Sequence, residues 1–289
     1  MTRFPRCLMS VVVVASATAF VSLNQPAAVA AVRTEDASLG PVAAQVSYTK
    51  NARYGHWNLR LTIWRNSMPI VSDAPVPPPC SKGCDAWPGA GAAGQRHSIA
   101  VLDLDHGAEP EVIVNVWSEA FLHCCLWAYV YRYIASESRY QLAMHNFTAF
   151  GYRLRDPNHD GFVDFVASDY RFAYVFTAFV SSRFPIQIWA YRDGRFSDET
   201  RPFRELIRRD ARDHMHEYKR DRGRGDVRGL LAAYAADQCL LDRCRAGLRF
   251  VKRELRRHDV RKYEFAEWPR GRAYLRALRR FLRRNGYTR

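Results

Sequence analysis

Between residues 45 and 200 the apolar positions fall in short runs separated by polar turns. Beyond residue 203 they recur at three- and four-residue steps. The first pattern is that of strands: Leu59, Leu61 and Ile63 alternate with polar neighbours. Apolar, aromatic and β-branched runs also cover 45–49, 99–104, 111–117, 125–134, 162–167, 172–180 and 186–191. The second pattern is helical. Phe203, Leu206, Ile207, Ala211 and Tyr218 share one face; Leu230, Tyr234, Leu241, Cys244, Leu248, Val251 and Leu255 continue the stripe. Tyr274, Leu275, Leu278, Phe281 and Leu282 form a last segment that stops at Asn285-Gly286. Arg222-Gly223-Arg224-Gly225 and Trp268-Pro269 break the helical part. Residues 31–45, small and polar, read as a flexible lead, and 74–96, rich in proline and glycine, as a long surface loop. The pattern predicts an α+β fold: an antiparallel β domain over 46–200 followed by an α-helical domain over 201–289.

The first 30 residues read as an export signal. Arg3 and Arg6 precede an uncharged stretch from Leu8 to Leu23, and Ala28-Val29-Ala30 supplies a small-x-small cleavage site. An uncleaved membrane anchor is the alternative. Export sets the reading of the cysteines. Cys80, Cys84, Cys124, Cys125, Cys239 and Cys244 are an even set, expected as disulfides in an oxidising compartment rather than as a zinc site with His123. Proximity favours Cys80–Cys84, and Cys239–Cys244 if a turn separates them. On one unbroken helix, residues five apart cannot bridge.

Charge divides the chain. Its formal +15 lies in residues 201–289, with 27 Lys/Arg against 12 Asp/Glu; the preceding 200 residues balance. Of the 44 basic residues 39 are arginine, a bias that genome composition alone can produce. A positive field of this size on an exported protein suits an anionic cell-wall polymer or a membrane surface; specific nucleic-acid recognition is not expected.

The segment with most chemistry is Asp156-Pro157-Asn158-His159-Asp160-Gly161-Phe162-Val163-Asp164. Oxygen donors stand at positions 1, 3, 5 and 9, glycine allows the sharp turn at 6, and the Phe162 carbonyl adds a donor at 7. This is how a loop surrounds Ca²⁺, a hard cation that takes six to eight oxygens. Position 12 is Ala167, not the glutamate of an EF-hand, and a strand follows. The bland reading is an Asx/Gly turn between two strands. A weaker copy stands 53 residues upstream, with Asp103, Asp105 and Glu111 matching Asp156, Asn158 and Asp164.

These motifs, Asp103-x-Asp105…Pro110-Glu111-Val112 and Asp156-x-Asn158-x-Asp160-Gly161-x-x-Asp164, resemble the FG-GAP/VCBS repeat superfamily over residues 98–200. Less specifically, they resemble secreted actinobacterial proteins that carry such repeats. The resemblance implies two propeller-blade-like units with structural Ca²⁺. Two blades cannot close a ring of four to eight, so a partial propeller or compact sheet is expected.

Nucleophile and phosphate-loop motifs are missing, and no catalytic residue is assigned. His214 and His216, two apart on a helix, point in different directions and read as a solvated face. The sequence therefore predicts a secreted, calcium-stabilised binding or cell-envelope protein without catalysis. The alternative is a secreted hydrolase of envelope or environmental polymers with structural calcium.

Overall fold

The structure is a computed structural model of the chain, and it describes residues 31–51, 55–79, 86–107, 109–118, 125–257 and 268–288. The export segment 1–30 and Cys80, Cys84 and Cys124 lie outside the described residues.

The fold is α+β. Strands β1 (Val32–Leu39), β2 (Val42–Asn51), β3 (Gly55–Arg65) and β4 (Met68–Pro75) form an antiparallel sheet in chain order. The second sheet contains β5 (Ala86–Pro88), β6 (Ile99–Leu102), β7 (Glu111–Ser118), β8 (Leu126–Ile134) and β9 (Arg139–Asn146), with β5 and β6 both paired to β7. The third sheet runs β10 (Tyr152–Arg155), β11 (Asp164–Ser168), β12 (Ile186–Arg192) and β13 (Arg195–Asp198). Among the described residues four helices follow: α1 (Arg204–Asp221), α2 (Arg228–Leu240), α3 (Cys244–Arg257) and α4 (Gly271–Arg284).

The second sheet is the middle layer. On one side Val112, Val114, Val116 and Tyr129 pack against Val42, Val46, Leu61 and Ile63 of the first sheet. On the other, Ile113, Leu126, Ala128 and Val130 pack with Phe165 and Tyr191 of the third. Burial on both faces is why 111–118 lacks the polar alternation of a half-exposed strand. The first sheet has one covered face, and β2 alternates accordingly.

Two expectations fail on physical grounds. Residues 32–39, expected within a flexible lead, form β1, paired residue by residue with β2 from Val32↔Thr49 to Leu39↔Val42. It is an edge strand largely open to solvent, so its polar composition carries no strand signal. Residues 172–180, expected as a strand, run instead from the end of one 3-10 turn (Tyr170–Phe172) through turns and bends into another (Phe179–Ser181). Phe172 and Phe176 instead enter the helical core, with ring centroids 4.8 Å from Phe281 and 5.4 Å from Tyr274. A hydrophobic run signals burial and does not say in what backbone form.

Helix α2 is buried nearly all round and is the axis of the helical part. A Cβ on Gly229 would lie 2.1 Å from the Ser181 carbonyl oxygen, so glycine lets the helix approach that segment. The apolar stripe from 230 to 255 is two helices, α2 and α3, joined by a turn at Leu241, Asp242 and Arg243. The turn brings Cys239 and Cys244 into a disulfide. Cys125 is disulfide-bonded as well. Tyr287 docks after α4, its hydroxyl donating to Asp169 at 2.6 Å, while Arg201 donates to the carbonyls of Gly286 and Tyr287. Among the described residues, no helix is long and apolar enough to cross a membrane.

Candidate functional site

The two loops singled out in the sequence occupy equivalent places and touch. Residues 103–110 join β6 to β7 and 156–163 join β10 to β11; Glu111 and Asp164 are the first residues of the strands that follow. Local turn chemistry shapes the second loop. The Asp156 carboxylate accepts from the backbone N–H of Asp160 (3.2 Å) and Gly161 (3.0 Å), and that of Asp160 from Phe162 (2.9 Å). Gly161 has φ +89°. The His106 ring stacks on Phe162 with centroids 4.1 Å apart, and its Nε2 lies 3.0 Å from the Gly161 carbonyl oxygen. Arg192 binds the pair together: it donates to Asp164 Oδ1 (3.1 Å) and to the Leu104 carbonyl (3.3 Å) and lies over the Phe162 ring.

The two loops differ as cation sites. Asp103, Asp105 and Glu111 bring carboxylate oxygens within 4.8 Å of one another. Asp156, Asp160 and Asp164 do not converge in this way; Asn158 donates to Asp160, and Asp164 faces Arg192. The donors are of the hard oxygen type that Ca²⁺ takes. However, Arg192 competes for Asp164, and Arg132, 3.0 Å from Asp105, competes for the upstream loop. Burial raises the carboxyl groups of both Asp164 and Glu111. Glu111 reaches about 7 although the Leu104 N–H donates to it.

A second cluster was not foreseen. His214, expected on a solvated face, is buried; His216 is exposed. His214 Nδ1 lies 2.8 Å from Asp237 Oδ2 on α2 and 3.9 Å from Asp210 Oδ2 one turn earlier on α1. The legible signal was the Asp210-x-x-x-His214 spacing, which puts both side chains on one helix face. Asp237, 23 residues away on another helix, gave none.

The helical part also carries a groove of about 370 Å³ between α1 and α2. Arg208, Arg212, His216, Lys219 and Arg243 line it without a carboxylate. Among the described residues Arg208 is ion-paired with Glu205, whereas Arg212, Lys219 and Arg243 have no carboxylate within ion-pair distance. A different groove, beside β12, holds Trp189, His145, Tyr170, Asp169 and Asp198. Its carboxylates are already engaged, Asp169 by Arg171 and Tyr287, Asp198 by Gln187 and the Thr200 N–H.

Comparison with known proteins bears on the helical part and reaches beyond it. The family described as "sll0997 C-terminal domain" matches residues 207–286. The "Probable thylakoid lumen protein sll0997" of Synechocystis sp. is 24% identical over 212 residues, covering 70% of this chain and 57% of the relative. The chain thus spans little more than half the length of the curated relative it matches. No solved structure matches. The matched family overturns the resemblance to FG-GAP/VCBS repeats. An Asx/Gly turn between antiparallel strands produces the same residue spacing without that ancestry. A lumenal relative lies across a membrane from the cytoplasm, in agreement with export. The groove and the Asp210–His214–Asp237 cluster both draw on the family-matched segment.

Proposed function

We propose that the chain is an exported, non-catalytic binding protein whose helical region holds an anionic polymer or surface, with its place of work outside the cell or at the cell surface. The observation that carries this reading is the groove whose charged lining is cationic throughout, with three of its cations free of ion pairs among the described residues. Unpaired cations converging on one concavity leave their charge for a partner. The net +15 of residues 201–289 adds a field of the same sign around it.

Binding of a glycerol-phosphate polymer and of vesicles containing phosphatidylglycerol tests the reading, with salt as the variable. Each basic residue near an anionic surface contributes about 1 kcal/mol. Arg212→Glu with Arg243→Glu therefore lowers affinity by at least about 30-fold, and binding weakens as salt rises. Binding that ignores both salt and the two reversals overturns the proposal.

Structural Ca²⁺ at the abutting loops is the second part of the reading. Asp103, Asp105 and Glu111 support it by convergence, and Asp156, Asn158, Asp160, Asp164 and the Phe162 carbonyl by donor type. Calcium would draw Asp164 away from Arg192 and Asp105 from Arg132. Thermal unfolding in EDTA and in excess Ca²⁺ is the measurement; an unmoved melting temperature removes calcium from the account.

A further inference from the structure

We propose that Asp210, His214 and Asp237 form a site for one transition-series dication, with Zn²⁺ as the working probe. The inference goes beyond the polyanion reading and does not rest on it.

The three ligand atoms come from two helices and lie within 4.8 Å of one another. Ligands about 2.1 Å from a tetrahedral centre stand roughly 3.4 Å apart. The observed His214 Nδ1 separations of 2.8 and 3.9 Å bracket that value, so small side-chain rotations complete the geometry. One imidazole with two carboxylates is a mixed nitrogen and oxygen set, which suits Zn²⁺ or Mn²⁺ better than calcium. Three protein ligands leave a fourth position, reached from the side of Asp210, whose side chain is about a quarter exposed.

The second observation is an orphaned atom. Asp237 is fully buried, and its Oδ1 has no hydrogen-bond partner. A buried carboxylate oxygen without a donor is costly to leave unmatched. Among the described residues, the Ile186 N–H donates to Asp210 and one imidazole nitrogen meets Asp237, and the two carboxyls otherwise have only each other within hydrogen-bond reach, acceptor facing acceptor. Burial raises Asp210 to about 7 and Asp237 well above the usual carboxylate range, while it lowers His214. The charged neighbours are Asp213 and the Arg183–Glu217 ion pair. A dication held between them meets both carboxyls and the imidazole at once and displaces the protons they carry.

Calorimetric titration of EDTA-stripped protein with ZnCl₂ at pH 7.5, in two buffers of different ionisation enthalpy, tests this. The expected result is about one equivalent bound with release of roughly one proton or more. Asp237→Asn and His214→Gln each weaken binding by at least about tenfold. Asp105→Asn with Glu111→Gln leaves it unchanged. Zn²⁺ X-ray absorption on the parent protein adds a readout that needs no folded variant: a shell of one imidazole with oxygens is expected. No stoichiometric binding, binding indifferent to Asp237→Asn and His214→Gln, binding lost with Glu111→Gln, or a shell containing sulfur or several imidazoles overturns the proposal.

Discussion

Replacing Glu111 with glutamine keeps the shape of a buried side chain and removes its charge. Glu111 is 1% exposed, and it stands near Asp105 and Asp103, whose charges oppose its ionisation; burial, the largest cause, takes its pKa from 4.5 to about 7. The folded pKa is raised, so the contribution to stability is fully present below about 4.5 and is lost as pH rises through about 7. A carboxyl displaced that far makes folding less favourable by about 3 kcal/mol above both values. Glutamine carries no such cost, its oxygen still accepts from the Leu104 N–H, and Arg132 keeps Asp105. In EDTA at pH 8.5, Glu111→Gln therefore raises stability by about 2–3 kcal/mol, or roughly 5 °C in melting temperature. At pH 4.5 the two proteins unfold together. Urea unfolding at both pH values measures the gap. If the variant is no more stable than the parent at pH 8.5, or the gap is the same at pH 4.5, the reasoning from burial is wrong.

Other outcomes follow from single contacts. Asp226→Ala strips the buried Arg228 guanidinium of its bidentate partner at 2.6–3.1 Å and costs about 3–5 kcal/mol, read by urea unfolding. Gly229→Ala drives a methyl into the Ser181 carbonyl and costs about 1–3 kcal/mol, with α2 displaced; an unchanged melting temperature contradicts the close approach. Cys239→Ser with Cys244→Ser opens a short loop and lowers stability by about 2 kcal/mol, checked against the oxidised parent in the same denaturant series.

Legibility in the sequence tracked how local each cause was. The turn at 156–164 and its upstream match were visible because Asx and glycine act within a few residues; the strand at Glu111 starts where that reading placed it, and the one expected from 162 begins at Asp164. The helical breaks at 222–225 and after Leu282 were visible for the same reason. Strand β1 was not: its partner β2, not its own composition, makes Val32–Leu39 extended. The aromatic run at 172–180 announced burial and concealed that its neighbours are helices. His214 and Asp237 met only through the packing of α1 on α2, and Arg132 and Arg192 reached their carboxylates from later strands. The family ancestry was misread because a turn geometry recurs wherever antiparallel strands need it.

Tyr287 donating to Asp169 joins residues 118 apart, and Phe172 and Phe176 wait for Phe281 and Tyr274 across about a hundred residues. Contacts of such separation form late, because closure of the intervening chain must precede them. A chain made from its N-terminus emerges progressively, so these rings remain uncovered until the α4 segment has followed them. The interval between emergence of residue 172 and docking of 287 is thus when the chain is most open to aggregation. Refolding of the helical core should be slower than closure of the β1–β2 hairpin.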